Sequence, residues 1–396
     1  MKKPTFRATA VSCYIGYISQ AIVNNFYPLL FVLFQNKYAL SLSQISFLIT
    51  ANFGIQLLTD ILSARFVDRI GYRITAVTAH FLCAAGLFLL PILPTALNPY
   101  FGLLLAVMLS GIGGGLIEVV ISPIIEACPN DNKASAMSLL HSFYCWGQTA
   151  VVLLSTLAFR FFGMSCWSFC SAVWGLIPFL NAFSFLRVPL NTLPRTEGKS
   201  SPLHTIKSKG FLLFFLMMLC AGASELSMSQ WASAFAEEGL QVSKAMGDLL
   251  GPCMFAVFMG ISRVFYSKKG EKIRLSSYMA LSGALCVVGY AVTVLAPHPV
   301  LSLAGCMLCG LAVGIMWPGT FSMAVKAIPL GGTPMFALLA LAGDIGCTSG
   351  PSLTGQLSSA FGSDLRVGFA FAAVFPLLML ILALACRKRE KAEEKR

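Results

Sequence analysis

The stretch Tyr100-Phe-Gly-Leu-Leu-Leu-Ala-Val-Met-Leu-Ser110-Gly-Ile-Gly-Gly-Gly-Leu-Ile-Glu118-Val-Val-Ile-Ser122-Pro123-Ile-Ile-Glu126 runs for 27 residues, with Glu118 as its only charge before the end. An apolar run of about 20 residues crosses the hydrocarbon of a bilayer, and it does so as a helix because only a helix satisfies its own backbone polar groups there. Working outward, eleven more such runs appear. The twelve read as 9–34, 42–64, 74–95, 100–126, 135–159, 165–187, 210–235, 245–265, 273–296, 299–325, 333–360 and 365–386, numbered here as spans 1 to 12. Apolar residues make up 57% of the 396 and charged residues 11%, where soluble domains carry about 25% charged. The chain is built to be solvated by lipid.

Its charges are sorted. Of the 28 Lys and Arg, 24 lie at the two ends or in alternate gaps, and Lys37, Arg160, Lys244 and Arg366 fall one to each of four opposite gaps. Basic residues stay on the cytoplasmic side, so the pattern predicts an even number of spans with both termini inside. The net charge of +12 by itself would suit nucleic acid, but the charges sit at span ends and in the tail Arg387–Arg396. They read as topology signals with weak affinity for anionic lipid, and no nucleic-acid partner is expected. Met1-Lys-Lys-Pro4 has the outline of a signal peptide, yet the run behind it continues through Asn24 and Asn25 to Phe34, which predicts a first helix instead. The thirteen cysteines are scattered without paired spacing, as small apolar core residues rather than disulfides or metal ligands.

The longest internal polar stretch, Pro189 to Lys209, divides the spans six and six. The expected organisation is an N-terminal six-helix bundle over 1–188, a cytoplasmic linker over 189–209, a C-terminal bundle over 210–386 and a charged cytoplasmic tail over 387–396. A repeat supports the division. Ser138–Thr149 aligns with Ala337–Thr348 at an offset of 199, sharing two leucines, a glycine and the threonine, and the same offset aligns Asp68–Arg73 with Ser267–Lys272. Two regions agreeing on one offset point to duplication. Parallel six-helix repeats place a solute site near the midplane.

The segment Ala64-Arg-Phe-Val-Asp68-Arg69-Ile-Gly71-Tyr-Arg73 resembles the Gly-x-x-x-Asp-Arg-x-Gly-x-Arg signature of the major facilitator superfamily, with Ala64 for the first glycine. Within that superfamily the chain looks most like the fucose permease branch of sugar transporters. Gly113-Gly-Gly-Leu-Ile-Glu118-Val-Val-Ile-Ser122-Pro123 is similar to that branch's fourth helix, where Asn usually stands at Ser122. Gly222-Ala-Ser-Glu225 with Trp231 resembles a Gly-x-Glu…Trp pattern of related sugar carriers, while Pro28 occupies the place of the branch's first-helix aspartate. The resemblance implies an all-α membrane protein with twelve transmembrane helices in two pseudo-symmetric bundles, the major facilitator fold, and transport by alternating access. It also implies a cytoplasmic gate of Asp68, Arg69, Arg73 and Glu126. Asp68 would face the positive N-terminus of span 11 near Thr333, and Arg69 or Arg73 would pair with Glu126.

Ionisable groups inside a span are costly, so each is a candidate for function. Glu118 follows Gly111, Gly113, Gly114 and Gly115, which leave room for a cavity or a close neighbour. A carboxyl there can bind a proton or a sugar hydroxyl, or remain a protonated group bonded to the next helix. Glu225 in span 7 and Asp344 in span 11 can each contact solute or be satisfied inside a bundle. Tyr17, Gln20, Asn24 and Tyr27 share one face of span 1 at about 3.6 residues per turn, a stripe expected to face water or solute. His141, Tyr144, Cys145 and Gln148 repeat the arrangement in span 5, with His141 equally suited to a bond with a neighbouring helix. Asn52, Gln56 and Asp60 form a third stripe, suited to water or solute or simply to a bond with span 11. A sugar's apolar face needs an aromatic ring, for which Trp231, Trp317 and Trp146 are candidates.

The expectation is a secondary transporter of the plasma membrane, moving a sugar or similar polar organic solute with a proton, as a monomer and without cofactor or metal. Ser122, Trp231 and Trp317 complete the predicted solute set, and Glu118 is assigned the proton. Export of amphipathic compounds is the alternative, since the many Phe and Met residues suit a greasy cavity. A non-transporting sensor is a further one. No Gly-x-x-x-x-Gly-Lys-Ser/Thr stretch and no clustered catalytic set occurs in the sequence, so no enzyme is expected.

Overall fold

The computed structural model describes residues 5–40, 42–129, 131–191, 205–206, 208, 210–236, 240–242, 246–247, 249–329, 331–362 and 364–393. Most of the predicted linker, Lys244 and the last three residues of the tail lie outside them. The described residues are helical, without strands. Ten of these helices are long and apolar enough to cross a membrane, covering spans 3 to 12. Spans 1 and 2 are the helices Phe6–Phe26 and Leu42–Ile70, whose polar stripes dilute their hydropathy. In span 1 Pro28 supplies no N–H for the Asn24 carbonyl, and the helix relaxes into the 3-10 turn Tyr27–Leu30.

Packing divides the chain into two compact units. The first is 1–131, 143–202 and 332–338; the second is 132–142, 203–331 and 339–396. Residues 132–142 of span 5 thus pack with the second unit, and 332–338 of span 11 with the first. Inside each unit the helices meet in the same pairs. In the first, span 4 packs against spans 1, 2 and 3, and span 6 against spans 1 and 3; in the second, span 10 packs against 7, 8 and 9, and span 12 against 7 and 9. The duplicated glycine shows the physical content of the repeat. A Cβ on Gly147 would meet Ile18 and Ala21 of span 1, and a Cβ on Gly346 would run into Leu219 and Ala223 of span 7. Each glycine lets two backbones approach closely.

Two local breaks place the candidate sites. Span 10 is a helix over Pro299–Val313 and a second over Met316–Ala327. Pro318 is four residues beyond Gly314 and has no N–H for its carbonyl, which accounts for the interruption. Span 8 begins in a π-turn at Leu249–Cys253 around Pro252 and continues as the helix Met254–Lys269. It ends beyond the expected 265, so Arg263 lies well inside it. Gly71, in the loop signature, sits at φ 91°, a left-handed conformation that an L side chain resists and that lets span 3 start one residue later.

Candidate functional site

In the first unit the stripe of span 1 zips against span 4. Tyr17 shares a hydrogen bond with Ser122 at 2.8 Å, Gln20 Nε2 donates to Glu118 Oε2 at 2.5 Å, and Tyr27 shares one with Ser110 at 2.5 Å. The antiparallel register brings Asn24 opposite the glycine run, and there its Oδ1 accepts from Gln56 Nε2 at 3.2 Å and Asn52 Nδ2 at 3.4 Å. Two expectations change. The stripe does not lie open to solvent, because Tyr17, Gln20 and Tyr27 are each 3% exposed; polar groups in a membrane protein are satisfied first by neighbouring helices. Asn52 and Gln56, suited to water, solute or span 11, bond span 1.

The glycines before Glu118 admit close neighbours. Added Cβ atoms on Gly111 and Gly115 would meet Asn52, Ile55, Gln56 and Thr59 of span 2, and one on Gly113 would meet Ala79 and Cys83 of span 3. Glu118 is held by this packing with 7% of its surface exposed. A carboxyl bonded to an amide donor, with the Tyr17–Ser122 hydroxyls one turn away and the Tyr27–Ser110 hydroxyls two turns away on the other side, can accept a hydrogen bond from a sugar hydroxyl or carry a proton.

The second unit contains an ion pair that the sequence reading missed. Arg263 was counted there among the topology charges, yet it is buried, with Nη2 3.4 Å from Oε2 of Glu225. Its Nε donates to the carbonyl of Gly314 at 2.7 Å and its Nη1 to the carbonyl of His141 at 2.9 Å. The guanidinium therefore occupies the acceptor that Pro318 leaves open. The spacing Gly314…Pro318, with an arginine inside the apolar run 245–265, was the available signal. His141 is 3% exposed, its ring 5.9 Å from that of Phe321.

The other predicted residues separate into contacts and packing. Trp231 Nε1 donates to the Pro351 carbonyl at 2.9 Å, and the ring lies where a Cβ on Gly355 would be. Trp317 lies likewise over Gly343, the residue before Asp344 on span 11. Asp344 is 5% exposed and its carbonyl accepts from Thr348 Oγ1 at 2.8 Å. Tyr144 and Gln148 are half-buried and Cys145 fully buried; these three belong to the first unit and His141 to the second.

At the loop signature, Tyr72 shares a 2.6 Å hydrogen bond with Thr333, the residue that Asp68 was expected to approach. Arg73 donates through Nη1 to the Phe185 carbonyl at 2.6 Å and through Nη2 to that of Val188 at 2.9 Å. These carbonyls close span 6, where the last turn of a helix has no internal donors. Arg69 is exposed, while Asp68 and Glu126 are half-buried.

The profile of the Major Facilitator Superfamily matches residues 13–335. No curated protein matches the chain by sequence. Among solved structures, the fucose:proton symporter of E. coli is similar over 96% of this chain and 98% of its own at 16% identity, with a TM-score of 0.77. The proton:xylose symporter XylE, bound to 6-bromo-6-deoxy-D-glucose, is similar over 96% and 95% at 12% identity with a TM-score of 0.78. The human organic anion transporter MFSD10 is similar over 96% and 100%, again at 12%, with a TM-score of 0.74. At such identities the likeness establishes the fold.

Proposed function

The chain belongs to the major facilitator superfamily, and from that premise we propose that it moves a sugar or similar small polar solute across the plasma membrane by alternating access, coupled to protons. It is a multi-pass membrane transporter, not an enzyme. The observation that carries the finer reading is the Gln20–Glu118 bond in the middle of span 4. A buried carboxyl flanked by amide and hydroxyl groups offers the donors and acceptors that sugar hydroxyls need, and a carboxyl inside a membrane bundle is a group that can carry a proton. The sugar:proton symporters among the similar structures lend support.

A thermal-shift screen of the purified protein against sugars, polyols and organic acids tests it. A ligand at about 100 times its dissociation constant stabilises the native state by about 2.7 kcal/mol, so a sugar should raise the melting temperature. A shift given by amphipathic drugs and by no sugar would sink the reading.

The gate belongs to the same proposal. If Asp68 holds the cytoplasmic side shut, Asp68→Asn should slow transport about ten-fold, the effect of roughly 1.4 kcal/mol on the barrier, while leaving solute binding intact. Glu126→Gln should act in the same direction, more weakly. Loss of binding in parallel with transport would assign Asp68 to the site or to folding instead.

Both termini are placed in the cytoplasm on the sorting of basic residues, which the burial of Arg263 reduces to 23 of 28 without changing its direction. Cysteines introduced into a cysteine-free background at Ser200, outside the described residues, and at Ala392 should resist an impermeant maleimide in intact cells and react after permeabilisation. Labelling in intact cells would reverse the orientation.

A further inference from the structure

Arg263 is 3% exposed at the side chain, and its partner Glu225 is 12% exposed. The guanidinium is closed in, and Glu225 keeps the larger exposed share of the pair. Three helices besides its own hold the arginine. Span 10 offers the Gly314 carbonyl, span 5 the His141 carbonyl and span 7 the Glu225 carboxylate, and Ser138 Oγ on span 5 donates back to the Arg263 carbonyl at 2.7 Å. A planar fork bonded in this way has its direction fixed by backbone that cannot rotate, so the carboxylate it meets is fixed as well. Such an arginine directs its Nε and one Nη1 donor to protein carbonyls and an Nη2 donor to the carboxylate. The more exposed partner is an acceptor, and what it can recognise is a donor.

We propose that Arg263 is a positioning residue of the solute site: it orients the Glu225 carboxylate to accept hydrogen bonds from the hydroxyls of an uncharged solute, and the site thereby disfavours organic anions. The inference rests on the transporter reading above and narrows its substrate class. An anion brought to Glu225 would meet a like charge whose compensating guanidinium is already bonded to the Gly314 and His141 carbonyls, whereas a sugar hydroxyl meets a preoriented acceptor. Lysine cannot replace the fork, because its single ammonium cannot bond the Gly314 carbonyl, the His141 carbonyl and Glu225 in their separate directions.

The test pairs each sugar with its own acid. Binding of D-glucose and D-gluconate, and of L-fucose and L-fuconate, is measured on the purified full chain for wild type, Glu225→Gln, Arg263→Lys and the double variant, each with its ligand-free melting temperature. The wild type should bind a neutral member and not its acid. Glu225→Gln and Arg263→Lys should each weaken sugar binding about ten-fold, the scale of one charged hydrogen bond. The double variant should bind no more weakly than the worse single one, because Arg263 acts through Glu225. A merely structural arginine would lower the melting temperature and leave the dissociation constant unchanged. Glu225→Gln keeps the test alive if Arg263→Lys does not fold. Unchanged sugar affinity in Glu225→Gln, multiplying effects in the double variant, or preference for the acid would overturn the proposal alone. A wild type that binds no member of either pair, and no sugar in the thermal-shift screen, would overturn the sugar reading and the proposal with it.

Discussion

Glu118→Gln should abolish uphill accumulation of solute while counterflow exchange continues. The Gln20 amide donates at 2.5 Å to Glu118, a residue with 7% of its surface exposed. Glutamine keeps the shape and keeps an oxygen to accept that bond, so the packing of spans 1 and 4 survives. What it lacks is a proton to release. A carrier whose reorientation requires a protonated Glu118 is imitated permanently by the amide, and it can cycle loaded in both directions without drawing on the proton gradient. The accumulation ratio should therefore fall to equilibrium, with exchange rates within a few-fold of wild type. Accumulation that persists in the variant, or wild-type uptake indifferent to the proton gradient, leaves Glu118 as a binding or packing residue.

The largest effect on stability is expected from Gly346→Val. Gly346 of span 11 faces the backbone of span 7 at Leu219 and Ala223, and Gly222 of span 7 faces the Gly343 carbonyl in return. Backbone cannot rotate out of the way as a side chain can, so a branched side chain must part the two helices along this seam. Overpacking typically costs about 1–3 kcal/mol, and contact with main chain puts this site at the upper end. The melting temperature in detergent should drop by several degrees. Gly54→Ala is the control. No atom stands within 4 Å of its added Cβ, and alanine favours a helix over glycine by roughly 1 kcal/mol, so that variant should melt at or above wild type. Equal melting of Gly346→Val and wild type would show that the seam is looser than drawn.

Much of the site was legible one helix at a time. The spacing of Tyr17, Gln20, Asn24 and Tyr27 marked a single face of span 1, and Glu118 behind its glycines marked span 4. That these two faces meet was not legible, and neither was the consequence that three of the four span 1 residues are buried. Arg263 was misread for a related reason. A charge near the end of an apolar run looks the same whether it reaches water or turns inward, and only the carbonyl freed at Gly314 and the carboxylate of Glu225 decide between the two. Trp231 and Trp317 are candidates for stacking on a solute, and what only packing shows is that each ring lies against a glycine of span 11.

Membrane class, the number and order of spans, the duplication and the loop signature follow from the sequence alone, because hydropathy, charge and motif spacing are properties of short stretches of chain. Partnership does not. Gln20 and Glu118 lie 98 residues apart, and Arg263 and Glu225 lie 38 apart. Whether they touch depends on how each helix is rotated about its own axis and how closely its neighbours approach. Nearly every face of these helices is apolar, so hydrophobicity sets that rotation weakly. It is set instead by where glycines admit a neighbouring backbone and where buried polar groups find one another, which are relations between helices that exist only once they have packed.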